Sequence, residues 1–436
     1  MKLKIKSFFI IILLIIGGYF AYTKLIKKEI EEPPKFVYHD ILTEIKDKTV
    51  PINYYAIYGK YLNFKGKVPN EDNYNIVFKN QKEELVFPTI NDGTEFSTSK
   101  NINDGINLEK LKVGNYIMLL CEDKKETEND KRLCYNLVNN TEYKDNKYYT
   151  MTKDNKNNLI TLNNKTYETY KYWDIDIKEE TLPDDVYDIV IDPGHGGVDS
   201  GAVNGRYRES TYTLDYAKTL KEVLEEEGFK VKLTRDTDKQ IDNYGAGSRT
   251  GIAYETKAKL FLSIHLNSAT WKGQNGVEIY YAYEDNNTFA KLIADNIVKY
   301  ANTTYSNNPQ NKVLPGAYMR VYSKENIQAL KNEAKREGYE PYNFTNHETY
   351  YYFIRETGGI MTHAFSDGRN KKYKENIYRN YNQGTEAYLL ELGYISSNND
   401  IKNIINNKDG YIKAIKESVL TYSEYVKPQD SDAKEE

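Results

Sequence analysis

The sequence predicts an α/β fold, a twisted and mostly parallel sheet flanked by helices, preceded by a small β-rich domain and an N-terminal transmembrane helix. Three observations carry that expectation. From about residue 185 to 427, apolar runs of strand length alternate with segments of helical periodicity, the alternation from which parallel sheets are built. From about 36 to 177 the runs are short and alternating, with Asn, Asp and Gly turns such as Asn91-Asp-Gly93 and Asn103-Asp-Gly105 between them. Phe8 to Tyr22 is an apolar run without a single charge.

That run follows Lys2, Lys4 and Lys6 and precedes Lys24, Lys27 and Lys28. It sits near the lower length limit for crossing a bilayer, and lysines at both ends can snorkel to the headgroups. Gly17-Gly18-Tyr19-Phe20-Ala21-Tyr22 closes it with aromatics, without an Ala-x-Ala-like cleavage site. An uncleaved signal anchor over 1–28 is therefore favoured over a cleaved signal peptide. The flanking lysines do not decide its orientation. Glu29-Ile-Glu-Glu-Pro-Pro-Lys35 reads as a short stalk.

A chain of 436 residues has room for two or three domains. Its formal charge of -4 lacks the basic footprint that a nucleic-acid partner would require. Only two cysteines occur, which excludes zinc held by a cysteine cluster. Cys121 ends Tyr116-Ile-Met-Leu-Leu-Cys121 and Cys134 lies in Arg132-Leu-Cys134-Tyr-Asn-Leu137, with the charged loop 122–131 between them. That spacing suits a hairpin, and a cross-strand disulfide and two half-buried thiols fit it equally. The β-rich region, 36–177, reads as a barrel or sandwich. It holds no catalytic constellation, and His39 stands isolated near the stalk. A spacer that also packs on the next domain is its leading reading; a wall-binding module and a surface for an activator or wall protein are the alternatives.

The acidic stretch Asp174 to Asp185, with Pro183, is the expected boundary. Val186 to Ile191 then forms a strand closed by Asp192-Pro193-Gly194, and His195 projects just beyond its end between Gly194 and Gly196-Gly197. Leu260 to Ile264 delivers His265 in the same way, and Ala387 to Leu390 delivers Glu391. If these strands are parallel neighbours, two histidines and a glutamate converge in the crevice at their carboxyl ends. Glu209 stands just before the helical pattern Thr213 to Glu227, where an acidic residue also suits a helix N-terminus by itself. Leu214, Ala217, Leu220 and Leu224 give that helix its face, and Gly228 stops it. Phe229, Val231 and Leu233 alternate as a strand, and a shorter helix over 248–257 leads to the strand before His265. Val277, Ile279 and Tyr281 alternate again, and a helix bearing Phe289, Leu292, Ile293 and Ile297 follows. Ile412, Ile415, Val419 and Tyr422 mark a last helix, ahead of a charged tail at 428–436.

Taken together, Asp192-Pro-Gly-His195-Gly-Gly, Arg208-Glu209, Leu233-Thr-Arg235, Ser263-Ile-His265-Leu-Asn267, Gly276-Val-Glu278 and Glu391-Leu-Gly-Tyr394 resemble the zinc-dependent N-acetylmuramoyl-L-alanine amidases with a DPGHGG motif. The resemblance covers roughly 185–427 in the family's order. It implies hydrolysis of bacterial peptidoglycan between N-acetylmuramic acid and the L-alanine of the stem peptide, with peptidoglycan as partner and the membrane reached through the N-terminal helix. A peptidoglycan hydrolase faces the wall, which places the catalytic domain on the extracytoplasmic side. Two imidazoles and one carboxylate suit an open catalytic Zn2+ site, with His195, Glu209 and His265 as ligands and a fourth position left for water. The resemblance places the family's catalytic glutamate, the general acid/base, at Glu391. Asn267 and Glu278 are lesser candidates that orient a ligand or line the substrate groove. A zinc peptidase acting within the stem, and a non-catalytic wall-binding scaffold or activator of the same fold, are the alternatives.

Between Glu278 and Glu391 the chain departs from the family's shorter pattern. The insertion at about 305–382, rich in Tyr and Asn and bearing His347 and His363, is expected to wall the groove rather than to supply ligands.

Overall fold

The computed structural model describes residues 38–45, 48–124, 132–141, 146–152, 156–243, 245–271, 273–282, 287–309, 314–319, 323–338, 354, 357 and 382–423. The expected anchor and stalk, His347 and His363, and the charged tail lie outside the described residues. No helix among the described residues is long and apolar enough to cross a membrane.

The first region opens with helix α1 (His39–Ile45) and continues through β1 (Thr49–Tyr58), β2 (Tyr61–Lys67), β3 (Tyr74–Lys79), β4 (Glu84–Pro88), β5 (Ile90–Asn91), β6 (Glu95–Ser97) and β7 (Ile106–Asn107). Then come β8 (Gly114–Glu122), β9 (Cys134–Asn139), β10 (Lys147–Tyr149), β11 (Asn157–Tyr167) and β12 (Tyr170–Glu180). These strands join one branched, largely antiparallel sheet, in place of the two separate sheets of a sandwich. Its core is aromatic: the Trp173 ring lies edge-on to Tyr55 at 4.9 Å and to Phe64 at 5.2 Å. Cys121 and Cys134 face each other across β8 and β9 and are joined as a disulfide. The acidic stretch expected as a boundary is partly strand. β12 runs on to Glu180, and Asp174 is fully buried, accepting from Asn163 and paired with Lys165.

The second region holds β13 (Ile189–Pro193), the small ribbon β14 (Val203–Asn204) and β15 (Tyr207–Arg208), α2 (Glu209–Glu226), β16 (Val231–Leu233), α3 (Arg249–Glu255) and β17 (Leu260–Asn267). It continues with β18 (Glu278–Tyr280), α4 (Thr288–Ala301), β19 (Ala317–Tyr318), α5 (Lys324–Glu337), β20 (Gln383–Gly384), β21 (Glu386–Tyr394), α6 (Asn398–Asn406) and α7 (Lys408–Ser423). Six strands form a mixed sheet in the order β16-β13-β17-β21-β18-β19. β13, β17 and β21 are parallel neighbours, and only the β18–β21 pairing is antiparallel.

The alternation of strand side chains sends Ile189, Ile191, Leu260, Leu262, Leu390 and Leu392 to one face, under α2, α4 and α7. Val190, Phe261, Ala387 and Leu389 go to the other, with Ala253 of α3 among their neighbours. All five residues of β13 are buried, as a strand covered on both faces requires. The sequence pattern missed α5, which starts with a capping box at Ser323 and Asn326, because its polar composition buries only Ala334.

The two regions meet at β20, which pairs in parallel with β1 through Ile57 and Gln383 and through Tyr58 and Gly384.

Candidate metal centre and catalytic face

His195 leaves β13 in a left-handed backbone conformation with φ 61, held there by its carbonyl neighbours. Arg235 donates to the carbonyls of Pro193 at 3.0 Å and Gly194 at 2.8 Å, while Arg249 donates to those of Pro193 at 2.7 Å and His195 at 2.5 Å. Both guanidiniums are almost fully buried, and Arg249 is paired with Asp192 at 2.6 Å. Asp192 also accepts from Thr234 at 2.5 Å and Ser263 at 2.7 Å. Burial alone would raise its pKa; the Arg249 charge and the two hydroxyl donors outweigh that and hold it below the ordinary aspartate value of 3.8.

Glu209 is the first residue of α2 and is nearly fully buried. Its Oε1 lies 3.1 Å from Nε2 of His195 and 3.0 Å from Nδ1 of His265, and it accepts the Leu266 N–H at 2.9 Å. Its Oε2 accepts the Ala202 N–H at 2.9 Å. Burial opposes its charge, but both imidazoles and these donors hold the carboxyl well below the usual carboxylate range. His195 feels the converse: burial lowers its pKa, and Glu209 and Asp199 together raise it above 6.5. Asp199 receives Nδ1 of His195 at 2.8 Å, which leaves Nε2 turned toward Glu209.

His195, Glu209 and His265 thus bring one donor atom each to within 4.8 Å of one another. The imidazole rings stand edge to face, with centroids 4.9 Å apart. Two glycines make room for them. A Cβ on Gly194 would lie 2.4 Å from the His265 ring, and one on Gly201 would lie 2.5 Å from His195 and 2.6 Å from Glu209. Two imidazoles, one carboxylate and a carboxylate behind one imidazole are the donor set of an open catalytic zinc site, so the residues present fit that metal.

Residues 189–337 match the family model described as N-acetylmuramoyl-L-alanine amidase, Amidase_3. That stretch is similar to the Amidase_3 family. Over 154 residues it is 32% identical to the germination-specific N-acetylmuramoyl-L-alanine amidase of Bacillus subtilis, covering 30% of this chain and 65% of that relative. Over 116 residues it is 37% identical to the probable cell wall amidase LytH of Staphylococcus epidermidis, covering 26% of this chain and 37% of that relative. The chain thus spans 65% and 37% of the lengths of these two curated relatives. Among solved structures, Cwp6 from Clostridium difficile aligns with a TM-score of 0.36 at 26% identity, over 54% of this chain and 29% of that one.

The matched stretch of the amidase domain contains His195, Glu209, His265, Asn267 and Glu278, and it stops before Glu391. Topology brings Glu391 to the same face. His265 and Glu391 are register partners in the parallel pair β17–β21, and Glu391 and Glu278 are partners in the antiparallel pair β21–β18. Side chains in one row across neighbouring strands share a face, so the three form a line at the carboxyl ends of β17 and β21. Glu391 and His265 are half-buried. Glu278 departs from the groove-lining expectation: it is fully buried, and Asn267 donates to it at 2.9 Å instead of turning to the metal centre. Sequence reasoning quoted Asp192, Arg235 and Ser263 inside motifs without a role for them, and gave Arg249 none. The contacts that Arg235, Ser263 and Arg249 make with Asp192 and the turn up to His195 span 41 to 71 residues of chain, so only the fold reveals them. His39 lies in the β-rich region, with Nδ1 2.6 Å from the Tyr167 hydroxyl.

Proposed function

We propose that this chain is a zinc-dependent hydrolase that cleaves peptidoglycan at the amide bond between N-acetylmuramic acid and the L-alanine of the stem peptide. The convergence of His195, Glu209 and His265 with Glu391 in register beside His265 carries this reading, together with the Amidase_3 match. Zinc bound by the three residues would supply Lewis acidity for amide hydrolysis at neutral pH. Glu209 and the two imidazoles hold that centre, and Asp199 fixes the ring of His195 through Nδ1. The Glu391 carboxylate accepts a proton from the attacking water and returns it to the departing amine of L-alanine, so water adds across the amide with no other reactant. The uncharged run Phe8 to Tyr22 supports a membrane anchor, and a peptidoglycan substrate puts this domain on the wall side.

The test is digestion of purified peptidoglycan by the zinc-loaded chain lacking its first 35 residues, beside its Glu391→Gln variant, with products read by mass spectrometry. Intact stem peptides with a free L-alanine amine should appear with the wild type. They should vanish with a chelator and with the variant, which keeps its zinc. Cleavage inside the stem would show a peptidase instead, and binding without products would show a scaffold.

A further inference from the structure

β21 pairs with β17 in regular steps from Leu260 and Glu386 up to His265 and Glu391, and the next pair is Asn267 with Tyr394. β21 therefore spends three residues where β17 spends two. The extra residue forms a bulge at Leu392-Gly393, directly after Glu391. Bulges bend a strand and re-aim the side chain beside them, so the direction of Glu391 depends on what holds this one.

Glu278 lies across from Glu391 on β18 and is completely buried. Five side chains donate to its carboxylate. Tyr394 and Asn267, at 2.5 and 2.9 Å, are the pair that resumes the ladder beyond the bulge. Tyr280 donates at 2.6 Å from the same strand. Ser306 and Asn308, at 2.6 and 3.3 Å, come from the segment that runs beside Val277 at the start of the insertion. No described cation is paired with Glu278, so these neutral donors are its described partners, and losing the carboxylate would take that acceptor from all five. Asp400 braces the same point from the other side, accepting the Tyr394 N–H at 2.9 Å and the Gly276 N–H at 2.8 Å.

We propose that Glu278 is a positioning residue: its carboxylate clamps Asn267 and Tyr394 across the bulge and so sets the aim of Glu391. Its full burial keeps it from substrate, and its effect passes through the strand that carries Glu391. The proposal rests on reading Glu391 as the general acid/base.

The test compares the zinc-loaded wild type with Glu278→Gln, Tyr394→Phe and the double variant. Glu278→Gln should keep wild-type zinc content while kcat falls about 10–100-fold. KM should change by less than about threefold, because the clamp acts on chemistry rather than on uniform binding. The double variant should be little worse than either single one, since both cut the same tie. Wild-type kcat in Glu278→Gln, or a loss that follows only lost zinc or lost folded fraction, overturns the clamp. Hydrogen exchange gives an arm independent of turnover. In Glu278→Gln, amides 391–395 should exchange faster while 260–264 stay as in the wild type. If the wild type releases no stem peptide, the amidase reading fails, and the exchange result alone decides the clamp: unchanged protection at 391–395 refutes it.

Discussion

Asp192 shows how much the cluster of His195, Glu209 and His265 depends on residues outside it. It is buried, paired with Arg249 and hydrogen-bonded by Thr234 and Ser263, and through Arg249 it holds the carbonyls on either side of the His195 turn. Its folded pKa lies below 3.8, so its contribution to stability is fully present above that value and is lost as pH falls through the depressed one. Asp192→Asn leaves the Arg249 charge buried without its counter-ion and should cost about 3 kcal/mol at neutral pH. Melting temperatures measured from pH 7 down to 3 should show the gap between wild type and variant widest above 3.8 and narrowing below it. A gap independent of pH would mean that Asp192 acts by shape alone. The cluster of His195, Glu209 and His265 was legible from sequence because each of the three follows an apolar run or opens a helix. The Asp192 and Arg249 pair was not, since nothing local distinguishes an arginine that reaches back 57 residues from one in solvent.

Among the elements, β13, which leads to His195, and β17 and β21, which carry His265 and Glu391, were readable because a strand covered on both faces must be apolar along its length. β16 and β18 were also readable, from alternation, though each proves shorter than its pattern. The bulge in β21 was hidden: it is a mismatch between two strands and exists in neither alone. The hairpin of β8 and β9 had two readings, and the disulfide between Cys121 and Cys134 selects one. That bond ties the ends of the connecting segment, which bears nine Lys, Glu, Asp and Arg residues from Glu122 to Arg132. Closing a loop of this size limits the unfolded chain and is worth roughly 3 kcal/mol. Replacing both cysteines by alanine should lower unfolding stability by about 2–3 kcal/mol, measured by urea titration, and leave turnover per folded molecule unchanged. Loss of turnover in that double variant would show that the hairpin reaches the catalytic face.

At the scale of the whole molecule, the β-rich region and the amidase domain share structure instead of merely touching. β20 takes β1 as its strand partner, and the Met151 side chain joins the amidase core. Glu386, two residues beyond β20, is buried and accepts from Tyr422 at 2.7 Å, from Tyr388, and from Asn103 of the β-rich region at 3.2 Å. Lys60 donates to the Tyr422 carbonyl, and Gly59, with φ 54, lies where any Cβ would collide with Glu386 and Tyr422. On the other side the Thr152 N–H donates at 2.9 Å to Asp188, which also stands 3.7 Å from the buried Lys259. These contacts lie at the starts of β13, β17 and β21, whose far ends carry His195, His265 and Glu391, so the β-rich region braces the strands that carry the centre. A domain deprived of this cover would expose Glu386 and the edge of β20 to water. Calorimetry of the chain lacking its first 35 residues should therefore give one unfolding transition, and residues 181–423 alone should melt lower. Two separate transitions, the later at the temperature of the isolated amidase domain, would mean that the domains fold independently and that the β-rich region serves only as a spacer.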